Sequence, residues 1–178
     1  MKVFITDLIA YNEGHLIGRW IKLPLLHIKL VEVIYEVLSE GEIVSGSSTH
    51  EEVFITDYEA DITIYEYDDI ARLNELAEVL ENYTAQDLLK LKLLTHEGYK
   101  EREVIEKGIE SYEVDFYDYS DNTSFTDVYE LLAYDLVDEG LFGSIPNNFI
   151  NYIDYSAIGR DLSYDYVEFE HGVLGRIS

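Results

Sequence analysis

Between Gly108 and Gly159 the chain carries no Lys, no Arg and no His. The same stretch holds Glu110, Glu113, Asp115, Asp118, Asp121, Asp127, Glu130, Asp135, Asp138, Glu139 and Asp154. A surface folded from such a segment projects a strong negative field. It repels nucleic acid and anionic lipid and attracts a basic groove. The largest class of basic grooves binds DNA or RNA, which raises the question of whether the chain imitates one. Over the whole chain 37 Asp and Glu stand against 12 Lys and Arg, a formal charge of −25 on 178 residues.

Disorder is the first alternative that such a charge raises. Disordered acidic chains are poor in apolar and aromatic residues. Here 47% of residues are apolar, and 16 Tyr, 7 Phe and 1 Trp supply bulk for a core. Composition alone does not separate a charge mimic from a salt-adapted or merely soluble protein. The length fits one domain or a few small ones. The lack of Cys removes disulfides and thiolate metal sites and suits a reducing compartment. Met1 to Gly14 places Asp7 and Glu13 where a signal peptide would have its apolar region and cleavage site. The longest charge-free run, Gly140 to Ile153, is too short to span a bilayer. A cytoplasmic protein without membrane contact is expected.

Periodicity gives an α+β reading in three blocks: 1–61, 62–108 and 109–178. In the first, Val3-Phe4-Ile5 opens a strand, Tyr11-Asn12-Glu13-Gly14 makes a turn, and His15 to Leu23 forms a second strand. Leu25 to Leu38 has helical spacing, with Pro24 at its start and Gly41 as terminator. Val53 to Tyr58 is a third strand. The middle block is helical: Asp68 or Asp69 caps a helix through Glu81, and Thr84-Ala85-Gln86-Asp87 matches a capping box for a helix through Leu94. A charged piece follows from Lys100 to Lys107. In the last block Tyr112 to Tyr119 alternates as a strand, with Tyr112, Val114 and Phe116 on one face and Glu113, Asp115 and Tyr117 on the solvent face. Ser124 to Glu139 is a helix opened by a capping box and closed by Gly140, Pro146 to Tyr155 is short helix, and Val167–Glu170 with Val173–Ile177 form a hairpin. Antiparallel strands plus helices at both ends thus flank a helical middle.

The acids fall on outward arcs. In the helix from Ser124, Phe125, Val128, Leu132 and Leu136 share a core face, while Asp127, Glu130, Tyr134 and Asp138 lie opposite, successive members about 4.5–6 Å apart along the axis. Glu75 and Glu78 lie opposite Leu73, Leu76, Ala77 and Leu80 in the earlier helix. Phosphates on one DNA strand advance about 3.4 Å each, so one line of carboxylates is too sparse but several lines together approach that density. A solvated helix face is ordinarily charged, yet it ordinarily interleaves Lys or Arg at i+4, and the helix from Ser124 has none. The expected acidic surface is Glu75, Glu78, Glu110, Glu113, Asp115, Asp118, Asp121, Asp127, Glu130, Asp135, Asp138 and Glu139. The charge-poor segment that follows offers Leu141, Phe142, Ile145, Phe149, Ile150 and Ile153 for either a core or a twofold interface.

Catalytic signatures are missing. There is no phosphate loop, zinc pattern or Gly-x-Ser-x-Gly elbow. Asp115, Asp118 and Asp121 fail the EF-hand spacing, and the five His are scattered. No cofactor, no metal and no catalytic residue is expected. A carboxylate enzyme remains as a weak rival, because so many acids always offer pairs.

Several short motifs occur together in one order: Asn12-Glu13-Gly14 with Leu16, Gly18-Arg19-Trp20 and Leu23-Pro24; Ile64-Tyr65-Glu66-Tyr67-Asp68 with Leu73-Asn74-Glu75-Leu76-Ala77; the acidic helix Asp127 to Gly140; Tyr152-Ile153-Asp154-Tyr155; and Gly159-Arg160-Asp161-Leu162. In this collinear set the chain resembles the ArdA antirestriction proteins over nearly its whole length. The resemblance implies an elongated, three-part, dimeric α+β molecule carried on a mobile genetic element such as a conjugative transposon. It implies a DNA mimic that occupies the DNA groove of type I restriction–modification enzymes, at the methyltransferase core, without catalysis and without binding nucleic acid itself. Asn12, Gly14, Trp20 and Pro24 are then fold residues. The competing reading is an acidic binding module for some other basic protein.

Overall fold

The first strand forms where the charged ends Lys2 and Asp7 bracket apolar residues. Val3 and Ile5 are fully buried in β1 (Lys2–Asp7). In this computed structural model, residues 1–46, 49–122 and 127–178 are described. β1 lies between β2 (Gly18–Lys22) and β3 (Val53–Glu59), both antiparallel to it, in the order β2-β1-β3. A shift in pairing between Phe4 and Ile5 skips Thr56, whose hydroxyl meets that of Thr6 at 2.8 Å. Between β1 and β2 runs a short helix, α1 (Leu8–Asn12), where a turn alone was expected. Asp7 caps it by accepting from the Ala10 N–H at 2.8 Å.

The long helix α2 (His27–Ser45) buries Leu30 and Val37. It overruns the expected terminator, Gly41, and ends at Gly46, whose φ of +70° makes the left-handed cap. Gly41 serves packing instead. A Cβ there would stand 2.2 Å from Asp7 Oδ2 and 2.9 Å from His50 Nδ1. Pro24 precedes the helix rather than sitting in its first turn.

The chain divides into two compact units, residues 1–88 with 101–106, and residues 89–100 with 107–178. The first unit also contains α3 (Ile70–Leu80). Asp69 caps it, accepting from the Ala71 and Arg72 N–H groups, and Ile70, Leu73, Leu76 and Ala77 are buried. The buried Asn74 holds the segment before α2 by accepting from the Leu25 N–H at 2.7 Å and donating to the Leu25 carbonyl at 2.9 Å. Helix α4 (Ala85–His96) begins with the expected capping box, Asp87 Oδ2 accepting from the Thr84 N–H and Thr84 Oγ1 accepting from the Asp87 N–H. In α5 (Glu101–Lys107), Arg102 clamps Asp68 and donates to the Thr63 carbonyl.

In the second unit β4 (Val114–Asp118), β5 (Val167–Glu170) and β6 (Val173–Ile177) form an antiparallel sheet in the order β4-β6-β5. The expected hairpin is present, and β4 closes against its far strand. Helices α6 (Val128–Asp138) and α7 (Tyr155–Leu162) cover the sheet through Leu132, Ala133, Leu136, Leu162, Tyr166 and Leu174. Gly159 lets the two helices touch; a Cβ there would lie 2.8 Å from the Tyr129 carbonyl oxygen. Between α6 and α7 the expected short helix is reduced to one 3₁₀ turn, Ile150–Tyr152. The start of α6 also differs. Asp127 has extended backbone and is itself the N-cap, accepting from the Tyr129 N–H at 2.9 Å. Ser124, Phe125 and Thr126, read above as the helix start, lie outside the described residues. Among the described residues no helix is long and apolar enough to cross a membrane.

Candidate functional site

The twelve acids singled out by sequence divide into two groups once their partners are known. In the first group each carboxylate is engaged. Arg72 pairs with Glu75 across one turn of α3, and Arg176 on β6 reaches Asp115 at 2.6 Å. Asp118 accepts from the Ser120 N–H and hydroxyl, and those two bonds hold its carboxyl below its ordinary pKa. Asp135 accepts from the Tyr119 hydroxyl at 2.7 Å. Burial first, and then this carboxylate, push the Tyr119 phenol far up, so it stays a proton donor. Asp127 caps α6.

The second group is Glu78, Glu110, Glu113, Asp121, Glu130, Asp138 and Glu139. Among the described residues none of these makes an ion pair. Glu130 is half-buried and the other six are exposed. Ordinary helix faces carry compensating Lys or Arg at this density. α6 has no basic residue in its last turn, and neither does the segment that follows it. The C-terminal end of a helix is the negative end of its dipole, so Asp138 and Glu139 there add to a field they do not offset.

Two sequence expectations about this face need correction. Asp115 does not stand on a free solvent face. The side of β4 that carries Asp115 also carries Tyr117, which packs on the helix layer together with Tyr119, and Asp115 is half-buried under Arg176. The stripe on α6 is also interrupted. Leu131, which falls beside Asp138 on a helical wheel, is only 8% exposed, so part of that arc is covered. The exposed acids of α6 and its caps are Asp127, Asp135, Asp138 and Glu139.

The apolar segment after α6 stands largely outside the core. Leu141, Phe142, Phe149 and Ile150 are exposed, between 42% and 63%, while Ile145 and Ile153 are half-buried. None belongs to the core of this unit. Beside them Tyr134 and Tyr155 stack with ring centroids 3.7 Å apart, in the wall of a cavity of about 470 Å³ that Ile145, Ile150 and Asp138 also line.

A polar cluster of residues joined by no local sequence signal lies in the first unit. His50 Nδ1 stands 2.6 Å from Asp7 Oδ2, and its Nε2 stands 2.9 Å from Ser45 Oγ. The order of groups is that of a hydrolytic triad, but Ser45 sits at the negative end of α2, where an oxyanion would be disfavoured. The His50 and Asp7 side chains are fully buried. The cluster is a structural tie between β1, α1 and the end of α2. Among the described residues no group of three or more His, Asp or Glu is gathered so as to hold a metal ion. The surface of the second unit therefore offers hydrogen-bond acceptors and negative charge, the requirements for binding cationic side chains.

The model of the antirestriction protein family ArdA matches residues 3–174. No curated protein matches the chain. With nearly its full length matched, the chain belongs to the ArdA family of antirestriction proteins.

Proposed function

We propose that this antirestriction protein acts by standing in for DNA. The unpaired carboxylates of the second unit take the place of phosphates in the basic groove of a type I restriction–modification enzyme, at its methyltransferase core. The single observation that carries the reading is the set of seven acids without an ion pair among the described residues, six of them in the second unit. Self-repulsion makes such a surface costly in isolation, and a groove lined by Lys and Arg relieves it. A DNA-binding groove gains much of its affinity from releasing counterions, a term that does not depend on base sequence. A carboxylate array draws on that term, so enzymes of differing sequence specificity can be blocked by one protein. Incoming DNA of a mobile element is then protected in the cytoplasm, where the enzyme acts.

The exposed Leu141, Phe142, Phe149 and Ile150 support a homodimer through the segment that follows α6. Two copies would lengthen the acidic footprint beyond what one small chain offers.

The test is displacement. A labelled duplex bound to a type I methyltransferase core is titrated with the protein, and its anisotropy is followed. Full release of the duplex, together with no shift of free DNA by the protein alone, is the expected result. Binding that leaves the duplex in place would make the protein an acidic module for another site on the enzyme. Light scattering at micromolar concentration tests the dimer, and Phe142→Asp with Phe149→Asp is expected to give monomer.

A further inference from the structure

The first unit carries a second surface, of different chemistry. α2 and the start of β3 and α3 enclose a groove of about 520 Å³, inside the range of roughly 300–1,000 Å³ typical of binding clefts. Leu30, Phe54 and Ile70 form a floor continuous with the core. From the α2 wall an apolar stripe runs outward. Ile28, Val31 and Tyr35 follow at i, i+3 and i+7, and they are between 52% and 75% exposed. On the other wall Tyr67 stacks on Phe54, with centroids 6.0 Å apart, and remains mostly exposed.

The rim is acidic. Glu51, Glu52, Asp68 and Asp69 line it, against one ionisable base, His27. Asp69 is engaged as a helix cap and Asp68 by Arg102, whereas Glu51 and Glu52 are exposed and make no ion pair among the described residues. This charge pattern selects the occupant. A second copy seated here through the same face would bring Glu51 and Glu52 against their own counterparts. An anionic lipid surface is repelled for the same reason. A phosphate-binding groove needs no apolar floor.

We infer that this groove seats a short amphipathic helix of a partner protein, with aliphatic anchors at i, i+3 or i+4 on the floor and Lys or Arg against Glu51 and Glu52. Such a contact is additional to charge mimicry by the second unit and does not depend on it. It gives the protein a site at which a sequence-specific partner adds affinity.

The probe is a fluorescein-labelled Leu/Lys peptide of about eighteen residues, designed to form an amphipathic helix of roughly five turns. It is titrated with the full-length protein at physiological salt. Controls are the same residues scrambled so that the Leu share no face, and oligolysine of equal charge. The amphipathic peptide is expected to bind at least about tenfold more tightly than either control, a difference of ~1.4 kcal/mol. Val31→Lys, and separately Glu51→Lys with Glu52→Lys, are expected to remove that advantage while melting temperature is kept. Glu130→Gln with Asp138→Asn is expected to leave it intact. Equal binding of all three peptides overturns the inference, as does an advantage lost only in the Glu130/Asp138 variant. If Val31→Lys instead dissolves a dimer, or abolishes binding to neutral phosphatidylcholine vesicles, the occupant is a second copy or a membrane, and the inference fails.

Discussion

Two sets of four acids distinguish an arranged charge surface from bulk net charge. Glu113→Gln, Glu130→Gln, Asp138→Asn and Glu139→Gln remove four carboxylates that have no ion pair among the described residues. Glu36→Gln, Glu40→Gln, Glu59→Gln and Glu75→Gln make the same change in net charge. Those four are already paired, with Arg19, Arg19, Lys2 and Arg72. An exposed carboxylate meeting one basic side chain contributes ~0.2–1 kcal/mol. The first set therefore lowers affinity for a type I methyltransferase core by about 1–4 kcal/mol, roughly fivefold to nearly a thousandfold. The second set exposes the cations it leaves behind but removes little that was available to a partner, so less than about threefold is expected. The assay is competition against a labelled duplex, with melting curves to confirm that both variants fold. An equal loss in the two sets would refute the reasoning, because net charge alone would then account for inhibition.

His50→Ala removes the ring bonded to Asp7 Oδ2, leaving that buried carboxyl only the Ala10 N–H, and is expected to cost about 1–3 kcal/mol in urea unfolding; a loss below about 0.5 kcal/mol would remove the tie from the account. Burial raises the pKa of Asp68, but the bonds from Arg102 and the Tyr65 N–H outweigh it and hold it below the ordinary value. A folded pKa below the unfolded one stabilises above about pH 4, and that stability is lost as pH falls through the folded value. Asp68→Asn is therefore expected to flatten the acid side of a melting-temperature profile, and identical profiles would contradict the pairing. Gly159→Ala drives a methyl into the α6 backbone and is expected to cost about 1–3 kcal/mol by thermal melts, with a neutral result showing that α7 can shift freely.

Local signals in the sequence located what local chemistry builds. The α3 helix with its Asp69 cap, the Thr84–Asp87 box and the β5–β6 hairpin each depend on residues within a few positions of one another. Sequence and structure part where a residue answers to something distant. Gly41 reads as a terminator, yet its lack of a side chain serves the Asp7 carboxylate. α1 was hidden because its apolar residues, Leu8, Ile9 and Ala10, also suit a strand end. Asp7 and His50 are 43 positions apart, and Asp115 and Arg176 are 61 apart, so neither pairing is visible in any window. The acidic surface shows the same division. Composition locates the charge along the chain, but which carboxylates remain free depends on where the few Arg and Lys fold to, and Glu75 and Asp115 lose their freedom that way.

Salt dependence of affinity tests the central claim most directly. Binding of the protein to a type I methyltransferase core is measured at several salt concentrations and compared with binding of a DNA duplex to the same core. Mimicry of phosphates predicts that the logarithm of affinity falls steeply and linearly with the logarithm of salt for both ligands, by at least about tenfold between 50 and 200 mM for the protein. An affinity that stays flat over that range, while the affinity for the duplex falls, would contradict the claim that its carboxylates occupy the positions of phosphates.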